Sequence, residues 1–429
     1  MAKTDPDAAV RELGGLLGDA FDIDVANLAI NYDQYSLNSL NGFFDSGDRS
    51  FFFKFHQEEG EEDMKGEYYR ADLLSKANLP IDLPVWKSSM PGEQILVYHR
   101  RNDRRFSDVL RDLDENPDAD AISKVGAAER QLNDRILSVA TSTLHEVDAG
   151  QVGEEPIHHL FHDRMIDLKT GRSPGGRYAN FYVGKPFEFP GCSLTWDQFS
   201  AALPVLNGQA MASTFGEIFA RALTKLNPKN LASAGGFTAH GDAHNANVWY
   251  IEEGEGASLS YFDPAFAGEH IPSLLAEAKA TFHNVFAHPF WLYDPGVAHD
   301  RYTASAFYDD GELRIDTDWR LSDVRRELLD AKATAFWKPF LAHLAERGML
   351  PADWRQTMRL ALAMCPTLVM NLRAGADRHN PTSSAIGFLV AGLVGSEPVS
   401  GRNVVTEFFD RIDPAQAGRD AGTHPEGNL

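Results

Sequence analysis

The chain has 429 residues, 43% of them hydrophobic and 24% charged, with a formal net charge of -22. That length calls for two lobes rather than one ordinary core. The charge disfavours nucleic acid and anionic membrane as partners and lends weak support to a cationic small molecule. Cys192 and Cys365 stand far apart without metal-ligand spacing, and the start "MAKTDPDAAVRELGG" carries acids where a leader would be apolar. No apolar run reaches the ~18 residues of a membrane span. A cytoplasmic protein with no disulfide framework is expected.

Residues 7 to 20 read as a short amphipathic helix. From 27 to 56 the pattern turns extended: "LAINYDQYSL", the turn-rich "NSLNGFFDSGDRS", then "FFFKFH". Aromatic and apolar residues broken by Gly and Asp predict antiparallel strands. An acidic run then leads into a helix with Tyr69, Leu73 and Leu74 at helical spacing, ending before Pro80. "EQILVYH" (93 to 99) reads as a buried strand. After 105 the chain turns helical, in "FSDVLRDLDE" and "QLNDRILSVATSTLHEVD". The Gly-, Pro- and His-rich stretch from 150 to 195 reads as an excursion on the substrate side. One long helix is expected over 208 to 227, then two strands, "NVWYI" and "SLSYFD", joined by "EEGEGA". Residues 320 to 395 read as several helices, with 383 to 395 as a buried one, and the tail from 413 as disordered.

The stretch "FTAHGDAHNANVWY" packs small polar side chains against the apolar run that follows. Phosphoryl transfer from a nucleotide explains such a loop. It needs a carboxylate to orient the attacking hydroxyl, oxygen ligands for magnesium, and a held cation for the α and β phosphates. Asp242 suits the first role. Asn247, five positions on, and Asp263, at the end of the second strand, suit the metal. Lys54 inside "FFFKFH" suits the phosphates, with Glu67 on the next helix to pair with it. The bland alternatives are turn caps for Asp242 and Asn247 and an edge-strand gatekeeper for Lys54. The joint presence of all four weighs against them. His158 and His162 stand four apart without an evident third ligand, and "HRRNDRR" (99 to 105) reads as a solvated turn.

"HGDAHNANVW" followed by "YFDPAFAG" resembles the catalytic pair of the aminoglycoside phosphotransferase and choline kinase-like superfamily. The resemblance spans roughly residues 30 to 290. It implies an α+β, bilobal protein-kinase-like fold with a small β-rich N-lobe (1–98) and a large mainly helical C-lobe (99–412) before the tail (413–429). It implies Asp242 as catalytic base, Asn247 and Asp263 as magnesium ligands, and His240 and Gly241 as loop support. Lys54 and Glu67 would serve the phosphates, Ser39 and Asn41 would donate to them, and Val97, Tyr98 and His99 would present hinge backbone to adenine. ATP, with GTP as the alternative nucleotide, and Mg2+ follow as cofactors. The partner would be a small-molecule hydroxyl acceptor, whose cationic character only the overall charge suggests.

There are departures from the family pattern. The phosphate-covering turn holds one glycine, Gly42, and the Asp that often follows the metal-binding loop is replaced by Glu269 and Ser273. The rival readings are a catalytically silent nucleotide-sensing protein and a protein kinase. Against the latter stand His-Gly-Asp and the Pro264 that follows Asp263.

Overall fold

The computed structural model describes residues 5–31, 40–55, 70–88 and 95–416. The architecture is mixed α and β, with a small sheet region followed by a large, mainly helical one. Ser39, Glu67 and the tail beyond 416 lie outside the described residues.

The small lobe begins with helix α1 (Pro6–Phe21), capped by the Asp5 side chain on Ala8 N–H. Strands β1 (Ala26–Asn31), β2 (Leu40–Ser46), β3 (Arg49–Phe55), β4 (Trp86–Ser88) and β5 (Ile95–His99) form one antiparallel sheet in the order β1-β2-β3-β5-β4. Alternation decides which way β3 faces. Phe51 and Phe53 point into a core shared with Ala9, Leu13 and Leu17 of α1 and with Phe44, Ile95 and Val97. Lys54 therefore projects from the opposite face, opposite Asn41 on one neighbour and Leu96 on the other. A short helix α2 (70–76) follows, and its Leu74 belongs to the larger core together with Leu79.

In the large lobe the helix Ala119–Thr143 runs through the core, capped at its start by Asp118. The expected hairpin forms from Val248–Glu253 and Gly256–Tyr261, with Val248 opposite Tyr261, and Trp249 also faces Arg105. The helix Pro381–Gly395 is buried over most of its length, as its apolar sequence predicts.

Two expectations need correction, and two further elements had no expectation. The segment 208–227 is not one helix. Asn207 and Gly208 adopt φ of 47° and 77° and turn the chain between strands Leu203–Leu206 and Gln209–Ala210. The helix begins only at Phe215, where Thr214 and Glu217 form a capping box. The segment 150–195 is not an excursion, since Val152, Ile157, Leu160, Met165, Tyr182, Phe187 and Phe189 all enter the main core. Its Gly and Pro residues set short turns of helix and strand between these anchors. Residues 304–317, which carried no assignment, form the hairpin Ala304–Asp309 and Glu312–Thr317, joined in parallel to Leu203–Leu206. A further strand, Gly268–Pro272, pairs with Gly236–Ala239 just ahead of the polar loop. No helix among the described residues is long and apolar enough to cross a membrane.

Candidate active site

The polar loop leaves the strand Gly236–Ala239 at His240 and enters the hairpin at Val248. Gly241 takes φ 74°, and a Cβ there would lie 2.3 Å from the Phe266 carbonyl oxygen, so only glycine fits. His240 is buried and braces the turn. Its Nδ1 accepts the Asp242 N–H at 3.3 Å, which leaves Nε2 to donate to the Phe262 carbonyl at 3.0 Å. Burial holds this imidazole below its ordinary pKa, so it stays neutral in that role.

The rest of the loop is tied down as firmly. Asn245 receives Asn284 Oδ1 on its backbone N–H at 2.9 Å and donates its amide to the His283 carbonyl at 3.1 Å. His244 Nδ1 accepts the Ala246 N–H at 3.2 Å, so its Nε2 faces the Asp242 carboxylate at 3.5 Å. Asn247 donates its amide N–H to the Asp242 carbonyl at 3.0 Å. That bond orients the side chain and leaves its amide oxygen for another partner.

Asp242 itself is buried, and its carboxylate is paired with Lys279, a buried lysine on the short helix Ala278–Thr281. Burial pushes the Asp242 pKa up. The Lys279 ammonium pulls it further down, so the group lies below the usual carboxylate range. Burial pushes His244 down to about 4, and His283 well below its ordinary value, so neither adds positive charge near neutral pH.

Asp263 follows the second strand in a left-handed conformation, with φ 54°. The preceding Phe262 N–H bonds to the Asn247 carbonyl at 3.0 Å, which sets the Asp263 corner beside Asn247. Lys54 reaches across from the small lobe to Asp263 Oδ1 at 3.0 Å. The structure thus brings Asp242, Asn247, Asp263 and Lys54 to one face between the sheet and the hairpin. Asn41 sits opposite Lys54 on β2 and is buried. Val97 is buried in the sheet core, whereas Tyr98 and His99 run past the end of β4, which pairs only with Ile95, Leu96 and Val97.

The fit to magnesium can be judged from the donors. Among the described residues, no group of three or more His, Cys, Asp or Glu side chains is placed to hold a metal ion. The adjacent pair here is one amide oxygen and one carboxylate, both hard ligands. That set suits Mg2+, which keeps waters and phosphate oxygens in its remaining positions.

Two site residues escaped the sequence reading. Lys279 is one, although a lysine within "LLAEAKATFHNVF" is as anomalous as Lys54 within its phenylalanines. Arg70, at the start of α2, is the other. It donates to the Ala265 carbonyl and so anchors the loop after Asp263. The supporting positions Glu269 and Ser273 divide. Ser273 hydroxyl donates to the Gly235 carbonyl at 3.1 Å. Glu269 is exposed, and the loop is held instead by buried Glu155, which accepts the His270 N–H at 2.7 Å. His145, of "STLHEVD", meets His270 at 2.8 Å.

No profile of a known protein family matches the chain, and no curated protein is similar enough to match. Among solved structures the chain is similar to several small-molecule phosphotransferases. One is a macrolide 2'-phosphotransferase from Brachybacterium faecium, at 12% identity and TM-score 0.32, covering 83% of this chain and 98% of that one. Another is a thermostable mutant of aminoglycoside phosphotransferase APH(4)-Ia in a ternary complex with AMP-PNP and hygromycin B, at 11% identity and TM-score 0.41, covering 89% and 99%. A third is aminoglycoside phosphotransferase APH(3'')-Id from Streptomyces rimosus, at 15% identity and TM-score 0.40, covering 84% and 98%.

Proposed function

We propose that the protein is a small-molecule kinase that transfers the γ-phosphoryl group of ATP to a hydroxyl. The observation that carries this reading is the meeting of Lys54 and Asp263 at 3.0 Å across the two lobes, beside a loop that orients Asp242 and Asn247. Lys54 would hold the α and β phosphates and release Asp263 as it does so. Asn247 and Asp263 would hold magnesium, which when bound supplies the positive charge that phosphate transfer requires. Asp242, ionised because Lys279 outweighs its burial, would accept the hydrogen bond of the acceptor hydroxyl and take its proton as the new P–O bond forms. Positioning and charge neutralisation would supply most of the rate.

A thermal melt with ATP, GTP and ADP, each with and without magnesium, tests the nucleotide half of this reading. A ligand that binds only the folded state raises the melting temperature. A magnesium-dependent rise with ATP that shrinks in Asp263→Ala is expected. No rise with any nucleotide at millimolar levels would move the reading to a silent kinase fold. The catalytic half is tested by Asp242→Asn, which is expected to abolish transfer while keeping the nucleotide-dependent rise.

A further inference from the structure

Two arginines converge on the end of the helix Trp354–Val369, which also packs against the short helix carrying Lys279, the partner of Asp242. Arg164 donates Nη1 to the Leu368 carbonyl at 3.1 Å, and Arg177 donates Nη1 to the same oxygen at 3.0 Å and to the Val369 carbonyl at 2.8 Å. These carbonyls close the helix Trp354–Val369. No Asp or Glu among the described residues lies within ion-pair distance of either guanidinium. Asp377 is the acid nearest in effect to Arg177, but it is exposed and accepts the Asn371 N–H instead.

The arrangement is built, not incidental. Gly175 and Gly176 press the helix Gly176–Phe181, which carries Arg177, onto the backbone around Arg164. A Cβ on Gly175 would lie 2.0 Å from Asp167 N, and one on Gly176 would lie 2.7 Å from the Arg164 carbonyl oxygen. Capping a helix C-terminus favours a cation, but two guanidiniums on one oxygen repel each other. Burial and the neighbouring Arg177 hold Arg164 down to about 10, against its attraction to Asp242. Asp242 thus has Lys279 paired with it and Arg164 within electrostatic reach, with Arg177 beside Arg164, in a chain of net charge -22. A cationic acceptor, as the overall charge suggests, would meet repulsion here.

We propose that Arg164 and Arg177 bind an oxyanion, a carboxylate or a phosphate, carried by the acceptor whose hydroxyl is presented to Asp242. The assignment to an acceptor rests on the phosphotransfer reading, whereas the anion site can be tested without nucleotide. The remaining guanidinium N–H groups supply planar, charge-assisted donors that suit either oxyanion. Acceptor specificity would then be set by the distance between that anion and the reacting hydroxyl.

The test is a calorimetric titration of the full chain with inorganic phosphate and, separately, with acetate, at ionic strength held constant with chloride. Saturable millimolar binding of at least one is expected, weakened about tenfold or more in Arg164→Gln and in Arg177→Gln. Arg177→Lys, which keeps the charge but not the planar fork, should weaken it less than Arg177→Gln, and the arginine-dependent binding should persist in Lys54→Met. Binding of phosphate alone, or of acetate alone, would name the oxyanion. No saturable binding in the natural chain overturns the proposal. So does binding lost in Lys54→Met but kept in the arginine variants, which would place the anion in the nucleotide corner and leave the phosphotransfer reading intact. If Arg164→Gln does not fold, the Arg177 variants decide alone.

Discussion

The Lys279 ammonium is paired with the Asp242 carboxylate, and both side chains are only 9% exposed. A buried ion pair of this kind is costly to break from one side, because the remaining charge is left in a poor solvent. Lys279 is therefore more than a fold contact for the loop. It favours the ionised carboxylate and, on the phosphotransfer reading proposed above, would leave one of its oxygens for the acceptor.

Replacing Lys279 by Met should raise the Asp242 pKa, because burial would then act with less opposition. A depressed carboxylate pKa supports activity down to low pH, so its rise moves the acid limb of the pH–rate profile to higher pH. The expected result is this shift with a loss in kcat of about tenfold or more and little change in the KM for nucleotide. An unmoved acid limb would show that Lys279 serves the fold alone.

Gly241→Ala places a methyl group against the Phe266 carbonyl in a left-handed conformation. A cost of roughly 1–3 kcal/mol in stability follows, measured by denaturant unfolding, together with loss of transfer as Asp242 is displaced.

Arg70→Gln should loosen the loop after Asp263 without touching the phosphates directly. Weaker magnesium-dependent ATP binding is expected, with magnesium-free ADP binding less affected. Equal weakening of both would mean that the arginine supports the nucleotide site as a whole.

Stability should fall on mild acidification. Burial holds His379 down from 6.5 to about 4. As pH falls below 6.5 the unfolded chain takes a proton that the folded imidazole refuses, so stability declines through that window and levels off below the folded value. His379→Asn should flatten part of the slope of unfolding free energy between pH 6.5 and 4, leaving the contribution of the other buried histidines, among them His240, His244 and His283.

The pair of Arg325 and Asp114 supports the polar loop from behind, since Arg325 Nη1 also donates to the Asn284 carbonyl at 2.8 Å. The two meet at 2.7 Å in the interior, with His288 alongside. Arg325→Met should destabilise by about 3–5 kcal/mol through the stranded carboxylate, and Asp114→Asn in the same chain should recover part of it.

The order and spacing of the chain already held the antiparallel sheet, the lysine on its third strand, and the loop and hairpin that run from His240 to Asp263. These are local patterns. Alternation along Phe51–Phe55 decides which face Lys54 takes, and five positions of loop suffice to turn Asn247 back onto the Asp242 carbonyl. The break at Asn207 and Gly208 was also local, but the helical pattern that begins at Phe215 was read back across the strand Gln209–Ala210. Other features have no local pattern at all. Lys279 meets Asp242 from 37 positions away. Arg164 and Arg177 share the Leu368 carbonyl only because a helix some 200 positions later ends there. The strand Gly268–Pro272 pairs backward with Gly236–Ala239 around the loop it supports. Charge shows the difference most plainly. The sum over the chain is strongly negative, whereas the corner beside Asp242 is rich in cations, because a total is additive over residues and a local field depends on which of them the fold brings together.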